Sequence, residues 1–274
     1  MTDYRHIVYE PGKVARVILN RPRYRNAQSR VMLEEMDQAF GRAAADDEVR
    51  VIVLSGEGDH FSAGHDLGTP EEKADQDSRG FPDEGRGVYR RLRRLYLENT
   101  MRWRNFQKPT IAMVRGYCIY GGWMIASAMD VIFASEDALF LPSHFQYFAT
   151  PWDVGPRKAK ELIFEHRFLS AQEACSLGFV GRVYAGDRLE EETLAFAGRV
   201  AENDPFVLRS CKFSINHMMD TMGFTAEVEA AFQTYFINRY LDWSRYTRPV
   251  YEGRQLARAD SALKNLELSR NRLQ

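Results

Sequence analysis

Residues 49–67 read VRVIVLSGEGDHFSAGHDL. Residues 49–55 form a β-branched apolar run, the pattern of a strand buried on both faces. Behind it, His60-Phe-Ser-Ala63-Gly64-His65-Asp66-Leu67 reads as a glycine-containing turn. The arrangement recurs further on, where the apolar run TIAMV (110–114) precedes Arg115-Gly116-Tyr-Cys-Ile-Tyr120-Gly121-Gly122-Trp123. Glycine lets a backbone approach a ligand closely or take a positive φ. A helix starting near Gly121 offers unpaired N–H groups and the positive end of its dipole. Two such turns can aim two N–H groups at one developing oxyanion. They can equally be plain strand-to-helix turns, and spacing alone leaves both readings open.

Elsewhere in the chain, Ala15, Val17 and Leu19 alternate as in a strand, and VIFA (131–134) reads as another buried one. Met32, Leu33, Met36, Ala39, Phe40 and Ala43 recur at helical spacing, which predicts an amphipathic helix over 30–44. Strands alternating with helices imply an α/β core. The stretch 68–99 begins with TPEEKADQDSRGFPDEGRG, poor in apolar residues and rich in breakers, and reads as a mobile loop. It leads into VYRRLRRLYLENTMRW, a basic helix that either binds anions or presents a solvated face. The second half is helical. Ser170-Ala-Gln-Glu173 fits a capping box with Gly178 as the stop, and Asp204-Pro205 fits an N-cap followed by proline at the first helical position. Two helices, Phe206–Met219 and Val228–Tyr240, run to about Trp243 and carry Met218, Met219, Phe232, Tyr235 and Phe236. Such stripes are core or subunit interface more often than ligand sites. The charged tail after Arg245 reads as exposed.

The 274 residues carry 37 Lys+Arg against 38 Asp+Glu, a balance that argues against non-specific nucleic-acid binding. No apolar run approaches the ~20 residues of a membrane span, and MTDYRHIVYEPGK does not look like a signal peptide. Cys118, Cys175 and Cys211 are too few and scattered for a disulfide framework, and no metal-ligand spacing is visible. A soluble cytoplasmic protein without membrane or nucleic-acid partners is the expectation.

Taken together, several segments resemble the crotonase (enoyl-CoA hydratase/isomerase) superfamily over about residues 5–240. They are Asn20-Arg21-Pro22 with Asn26-Ala27, Val51–Gly56, Phe61–Gly64 with Asp66-Leu67, Lys108-Pro109-Thr-Ile-Ala, Gly116 with Gly121-Gly122, Asp130, and Ser170–Ala174 with Leu177-Gly178. The resemblance implies an α/β core of spiralling ββα units over residues 1–200 and a C-terminal helical trimerisation region over 201–274. Homotrimers, often paired as hexamers, would follow. It also implies a role in acyl-CoA metabolism, with coenzyme A present as part of the substrate and no permanently bound cofactor. By position, the thioester oxygen would lie between the N–H groups of Ala63 and Gly121. Residues Ala63, Gly64, His65, Asp66 and Leu67, with Ala27, would line the coenzyme A path, and Arg23 or Arg25 would lie near its phosphates. Trp123, Met124 and Trp152 would border the acyl pocket.

The sequence departs from the family's hydratases at two places. Where they carry water-handling glutamates, this chain has Met124 and His144, and a methionine cannot be a general acid or base. The segment Ser143–Asp153 is similar to that of the superfamily's β-diketone hydrolases, with a histidine and an aspartate nine positions apart. Asp153-Val154-Gly155 is also similar to the catalytic aspartate segment of dienoyl-CoA isomerases, and the chlorobenzoyl-CoA dehalogenases place a reactive aspartate nearby. A base–orienter pair of His144 and Asp153 would support C–C hydrolysis, isomerisation or hydrolytic substitution. Otherwise His144 is a core histidine and Asp153 caps the helix near Gly155. Two further readings are a conventional hydratase using Glu98 or Asp153, and a catalytically silent acyl-CoA binder. His60, His166 and His217 read as surface or packing residues, and Cys118 as structural.

Overall fold

The structure, a computed structural model, describes residues 4–82, 85–240 and 254–271. Six strands form the main sheet: β1 (Ile7–Glu10), β2 (Val14–Leu19), β3 (Val51–Gly56), β4 (Thr110–Val114), β6 (Val131–Ser135) and β9 (Arg182–Tyr184). They lie side by side in that order, antiparallel at β1–β2 and parallel from β2 onward. A second sheet joins β5 (Tyr117–Ile119), β7 (Leu139–Leu141) and β8 (Leu169–Ser170). The helices are α1 (Arg30–Ala45), α2 (Pro70–Arg79), α3 (Gly85–Leu92), α4 (Asn99–Arg104), α5 (Gly121–Ser127), α6 (Thr150–Val154) and α7 (Pro156–Glu165). They continue with α8 (Ala171–Ser176), α9 (Leu189–Ala201), α10 (Pro205–Thr221), α11 (Phe224–Tyr240) and α12 (Arg254–Asn271).

The apolar run of β3 is explained by burial on both sides. Val51 and Val53 pack with Ile111, Met113 and Phe133 against Leu189, Ala197 and Ala201 of α9. Ile52 and Leu54 face the opposite way, into a larger core with Met32, Met36 and Phe40 of α1. Alternate side chains of one strand thus serve two hydrophobic layers. Predicted caps are in place: Ser170 accepts from the Glu173 amide, and Asp204 from those of Phe206 and Val207.

Two expectations are corrected. Much of the 68–99 stretch is helical. Thr69 caps α2, Pro70 occupies its first turn, and Glu71 and Glu72 complement its dipole. Its polar side chains are tied down by ion pairs of Asp75 with Arg30 and Arg79, and of Glu71 with Arg21. Within the basic helix, whose sequence is open to anion binding or a solvated face, three arginines have acidic partners in the chain: Arg93 pairs with Glu98 and Glu229, Arg94 with Glu34, and Arg102 with Asp37. The tail is not simply exposed, because Ala262 and Leu266 of α12 pack on Ile119, Leu141 and Phe168. Trp243, the predicted end of the preceding helix, lies outside the described residues. No helix among the described residues is long and apolar enough to cross a membrane.

Candidate active site

The two glycine turns come together behind the ends of β3 and β4. Two isolated bridges hold the first turn: Ser62 pairs with Cys118 of β5, within the second turn, and His65 with Gln28 just before α1. Asn26 fixes this corner. It accepts from the Arg21 amide at 2.8 Å, and its side-chain amide donates to the Glu57 and His60 carbonyls at 3.0 and 2.7 Å. Gly64 has φ +90°, and a Cβ added there would stand 2.8 Å from the Ile119 carbonyl oxygen and 3.1 Å from the Gly121 nitrogen. The first turn therefore rests directly on the start of α5. Tyr120, immediately before that helix, has φ +54° and ψ −104°, a conformation costly for a residue with a side chain.

The amide inventory of these turns corrects one position. The Ala63 N–H donates to the Arg25 carbonyl at 2.9 Å and is not free. Gln28 takes the Asp66 N–H at 3.0 Å and donates to the Gly64 carbonyl at 2.7 Å. In a parallel bridge of this kind, the residue opposite points its own N–H and C=O away. His65 is that residue, and among the described residues its N–H has no acceptor. The Gly121 N–H, in the first turn of α5, has none either. The free pair is thus His65 and Gly121. The resemblance, read by position, named Ala63 in place of His65, and the Ala63 N–H is engaged.

The His65 side chain closes over this point. Its ring lies 4.1 Å, centroid to centroid, from that of Tyr96 and 5.5 Å, edge-on, from that of Phe145. Burial pushes its pKa down to about 4, so the ring is neutral at pH 7. Asp66 is a bracket rather than a ligand-facing group. Its carboxylate binds Arg21 at 2.7 Å, the Thr69 hydroxyl and the Gly68 and Thr69 amides. Burial raises its pKa, but these bonds outweigh burial and hold it below the usual range. Ala27 is engaged through its carbonyl, which accepts from Arg21 at 2.6 Å. Arg23, Arg25 and Leu67 are exposed at the mouth of the corner.

The predicted pairing of His144 with Asp153 is not formed. The Asp153 carboxylate accepts from Trp123 Nε1 at 2.7 Å and from the Ser127 hydroxyl at 2.8 and 2.9 Å. Trp123 and Ser127 lie one turn apart on α5, so both reach the same group. Burial raises the Asp153 pKa to about 7 against these two donors. Nor does Asp153 cap the helix at Gly155, whose N-terminus has no side-chain cap. The His144 ring instead packs against Phe148 at 5.0 Å and Tyr235 at 6.2 Å. Burial lowers its pKa, opposed by a hydrogen bond with the Ala231 backbone. A nine-residue separation could not reveal that the intervening loop turns the two side chains to different neighbours.

Trp123 stacks on Phe179 at 4.1 Å within the main core. Met124 packs with Val88, Leu92, Leu97, Tyr147 and Phe232 in a separate cluster that Trp152 borders. Trp152 donates to Glu227 at 3.2 Å. Glu98, the alternative water-handling group, is bonded to Arg93 at 3.0 Å. His60 stacks on Tyr117, and Cys118 is buried. Among the described residues no group of three His, Cys, Asp or Glu side chains is arranged to hold a metal.

The mixed α/β spiral with its helical C-terminal region is a crotonase-type fold. A probable enoyl-CoA hydratase from Mycobacterium thermoresistibile superposes with a TM-score of 0.77 at 42% identity, covering 84% of this chain and 93% of that one. The chain belongs to the enoyl-CoA hydratase/isomerase family, whose model matches residues 10–240. A Mycobacterium tuberculosis protein named "Putative enoyl-CoA hydratase EchA13" is 39% identical over 269 residues, 89% of this chain and 84% of that protein. The short-chain-enoyl-CoA hydratase of Clostridium acetobutylicum is 32% identical over 223 residues, 78% of this chain and 81% of that protein.

Proposed function

We propose that this protein polarises an acyl-CoA thioester between the His65 and Gly121 amides and moves a proton on an unsaturated acyl chain, with Asp153 as acid–base group. The observation that carries this reading is the convergence of the two free amides at the start of α5. Donors placed where negative charge develops are a large source of rate enhancement, and loss of one costs about 3 kcal/mol. The charge would form on the thioester oxygen as a carbon–hydrogen bond breaks and an enolate or extended dienolate appears.

Asp153 suits the proton transfer because a pKa of about 7 lets it both take and return a proton near neutrality. Ser127, which holds it, is six residues beyond Gly121 on α5, roughly 9 Å along the axis. The carboxylate would thus serve a carbon several bonds from the thioester. It takes a proton from that carbon, the electron pair moves toward the thioester oxygen, and the proton returns at another carbon. The double bond shifts and no water is consumed. Arg23 and Arg25 would meet the coenzyme A phosphates, and no permanently bound cofactor is needed. Phe206, Phe213, Ile215 and Met218, exposed on α10, and Met222 just after it support a homotrimer or hexamer built through the C-terminal region.

A second reading, conventional hydration, is favoured by the names of the relatives. Mass spectrometry of products from dienoyl-CoA and 2-enoyl-CoA thioesters separates the two. Isomerisation leaves the mass unchanged, whereas hydration adds one water. The proposal expects an isomer that disappears in Asp153→Asn. Hydration equally brisk in wild type and variant would overturn it, and binding without any product would point to a silent acyl-CoA binder.

A further inference from the structure

The mechanism above uses the backbone of His65 and leaves its side chain idle. Nε2 of that ring is sealed from solvent and has no hydrogen-bond partner among the described residues. A buried polar nitrogen left unpaired costs free energy that a bound acceptor or donor would recover. Its position is narrowly defined. A methyl group added to Gly121 would stand 2.7 Å from His65 Cδ2 and 2.9 Å from Nε2. The Nε2 edge of the ring therefore borders the residue whose amide is the second free donor.

Aromatic contacts hold the ring there. Tyr96 covers it, and Tyr96 comes from a π-helical turn, Arg93–Glu98, inserted between α3 and α4. Such turns re-aim side chains that a regular helix would point elsewhere, and they are frequent at functional sites. Phe145 meets the ring edge-on, and Tyr120 meets Phe145 in the same way at 5.2 Å. This packing also keeps the imidazole dry and neutral, so it carries one N–H and one bare nitrogen.

We propose that the His65 side chain, through Nε2–H, donates a third hydrogen bond to the thioester oxygen held by the His65 and Gly121 amides. The inference rests on the oxyanion-site reading given above. Both amides are donors, so negative charge gathering between them selects the tautomer with its proton on Nε2. One residue then contributes a backbone and a side-chain donor to the same oxygen, and Tyr96 and Phe145 act as positioning residues for the second.

The test uses a saturated acyl-CoA carrying carbon-13 at the thioester carbonyl, read by infrared difference spectroscopy on wild type, His65→Phe and His65→Gln. Phenylalanine keeps the packing with Tyr96 and Phe145 but removes the N–H, and glutamine restores a donor. Wild type should lower the carbonyl frequency relative to water, His65→Phe should lower it less, and His65→Gln should recover part of the difference. With an unsaturated substrate, kcat should fall about tenfold or more in His65→Phe with KM nearly unchanged. Equal frequencies in wild type and His65→Phe would overturn the proposal. No lowering in wild type itself would instead remove the oxyanion site on which it rests. Should the phenylalanine variant not fold, nitrogen-15 spectra of the wild type decide the matter. An Nε2–H proton resonance should move downfield on thioester binding, and an unmoved one counts against the third donor.

Discussion

Replacing Asp153 with asparagine should change how stability depends on pH, and the size of the change follows from the burial of one carboxyl. Its ordinary pKa is 3.8, and in the folded protein it is about 7. Between these values the folded chain holds a proton that the unfolded chain has released. Stability contributed by this group is therefore full at low pH, falls as pH rises through that window, and levels off above it. The slope is about 1.4 kcal/mol per pH unit, and integration from about pH 5 to about pH 8 gives a loss of roughly 2.5 kcal/mol. His65 acts in the opposite sense. Its pKa is lowered from 6.5 to about 4, so its stabilisation is full above 6.5 and is lost as pH falls. The two effects overlap in the wild type, and the difference between wild type and Asp153→Asn removes the histidine contribution. Asparagine does not titrate, and its carbonyl oxygen can still accept from Trp123 and Ser127. Its packing penalty is then the same at every pH. Urea unfolding followed by tryptophan fluorescence, at one protein concentration, should show the variant gaining roughly 2.5 kcal/mol on the wild type between about pH 5 and about pH 8. Two curves that stay parallel across this range would refute a buried carboxyl near 7, and with it the acid–base assignment.

Three further outcomes follow from the same geometry. Gly121→Ala places a methyl 2.5 Å from Gln28 Oε1 and 2.7 Å from the His65 ring, so steady-state assays should show kcat reduced by about 10²-fold or more in a protein that still folds by circular dichroism. Asn26→Ala removes three hydrogen bonds that join the Arg21, Glu57 and His60 backbones and should lower the unfolding free energy by about 3 kcal/mol or more in urea titrations. His144→Leu preserves an apolar fit against Phe148 and Tyr235 and leaves Asp153 untouched, so turnover should stay within about tenfold of wild type; a far larger loss in a folded variant would restore His144 to the chemistry.

What the sequence made legible was periodicity and local chemistry. The run 49–55 reads as a buried strand because β-branched and apolar residues dominate it, and the caps at Ser170 and Asp204 need only residues three or fewer positions away. The 70–79 helix was hidden because little of it is apolar. What orders it is a proline start, a threonine cap and ion pairs to Arg30 and Arg21, partners far away in the chain. The site divides along the same line. Two glycine turns behind two parallel strands were visible as candidates, and their convergence required only that β3 and β4 be neighbours. Which amide remained free was not visible, because it depends on the register of the Gln28–His65 bridge. A shift of one residue there would turn a different N–H toward the site. The pairing of Asp153 with Trp123 and Ser127 was likewise closed to a linear reading. Trp123 and Ser127 are four apart and so share a helix face, but nothing in either residue type announces a carboxylate partner from a helix that begins at Thr150. The sequence could locate a histidine and an aspartate at a suggestive separation. Only the packing decides that the aspartate faces α5 while another histidine, His65, closes over the free amides.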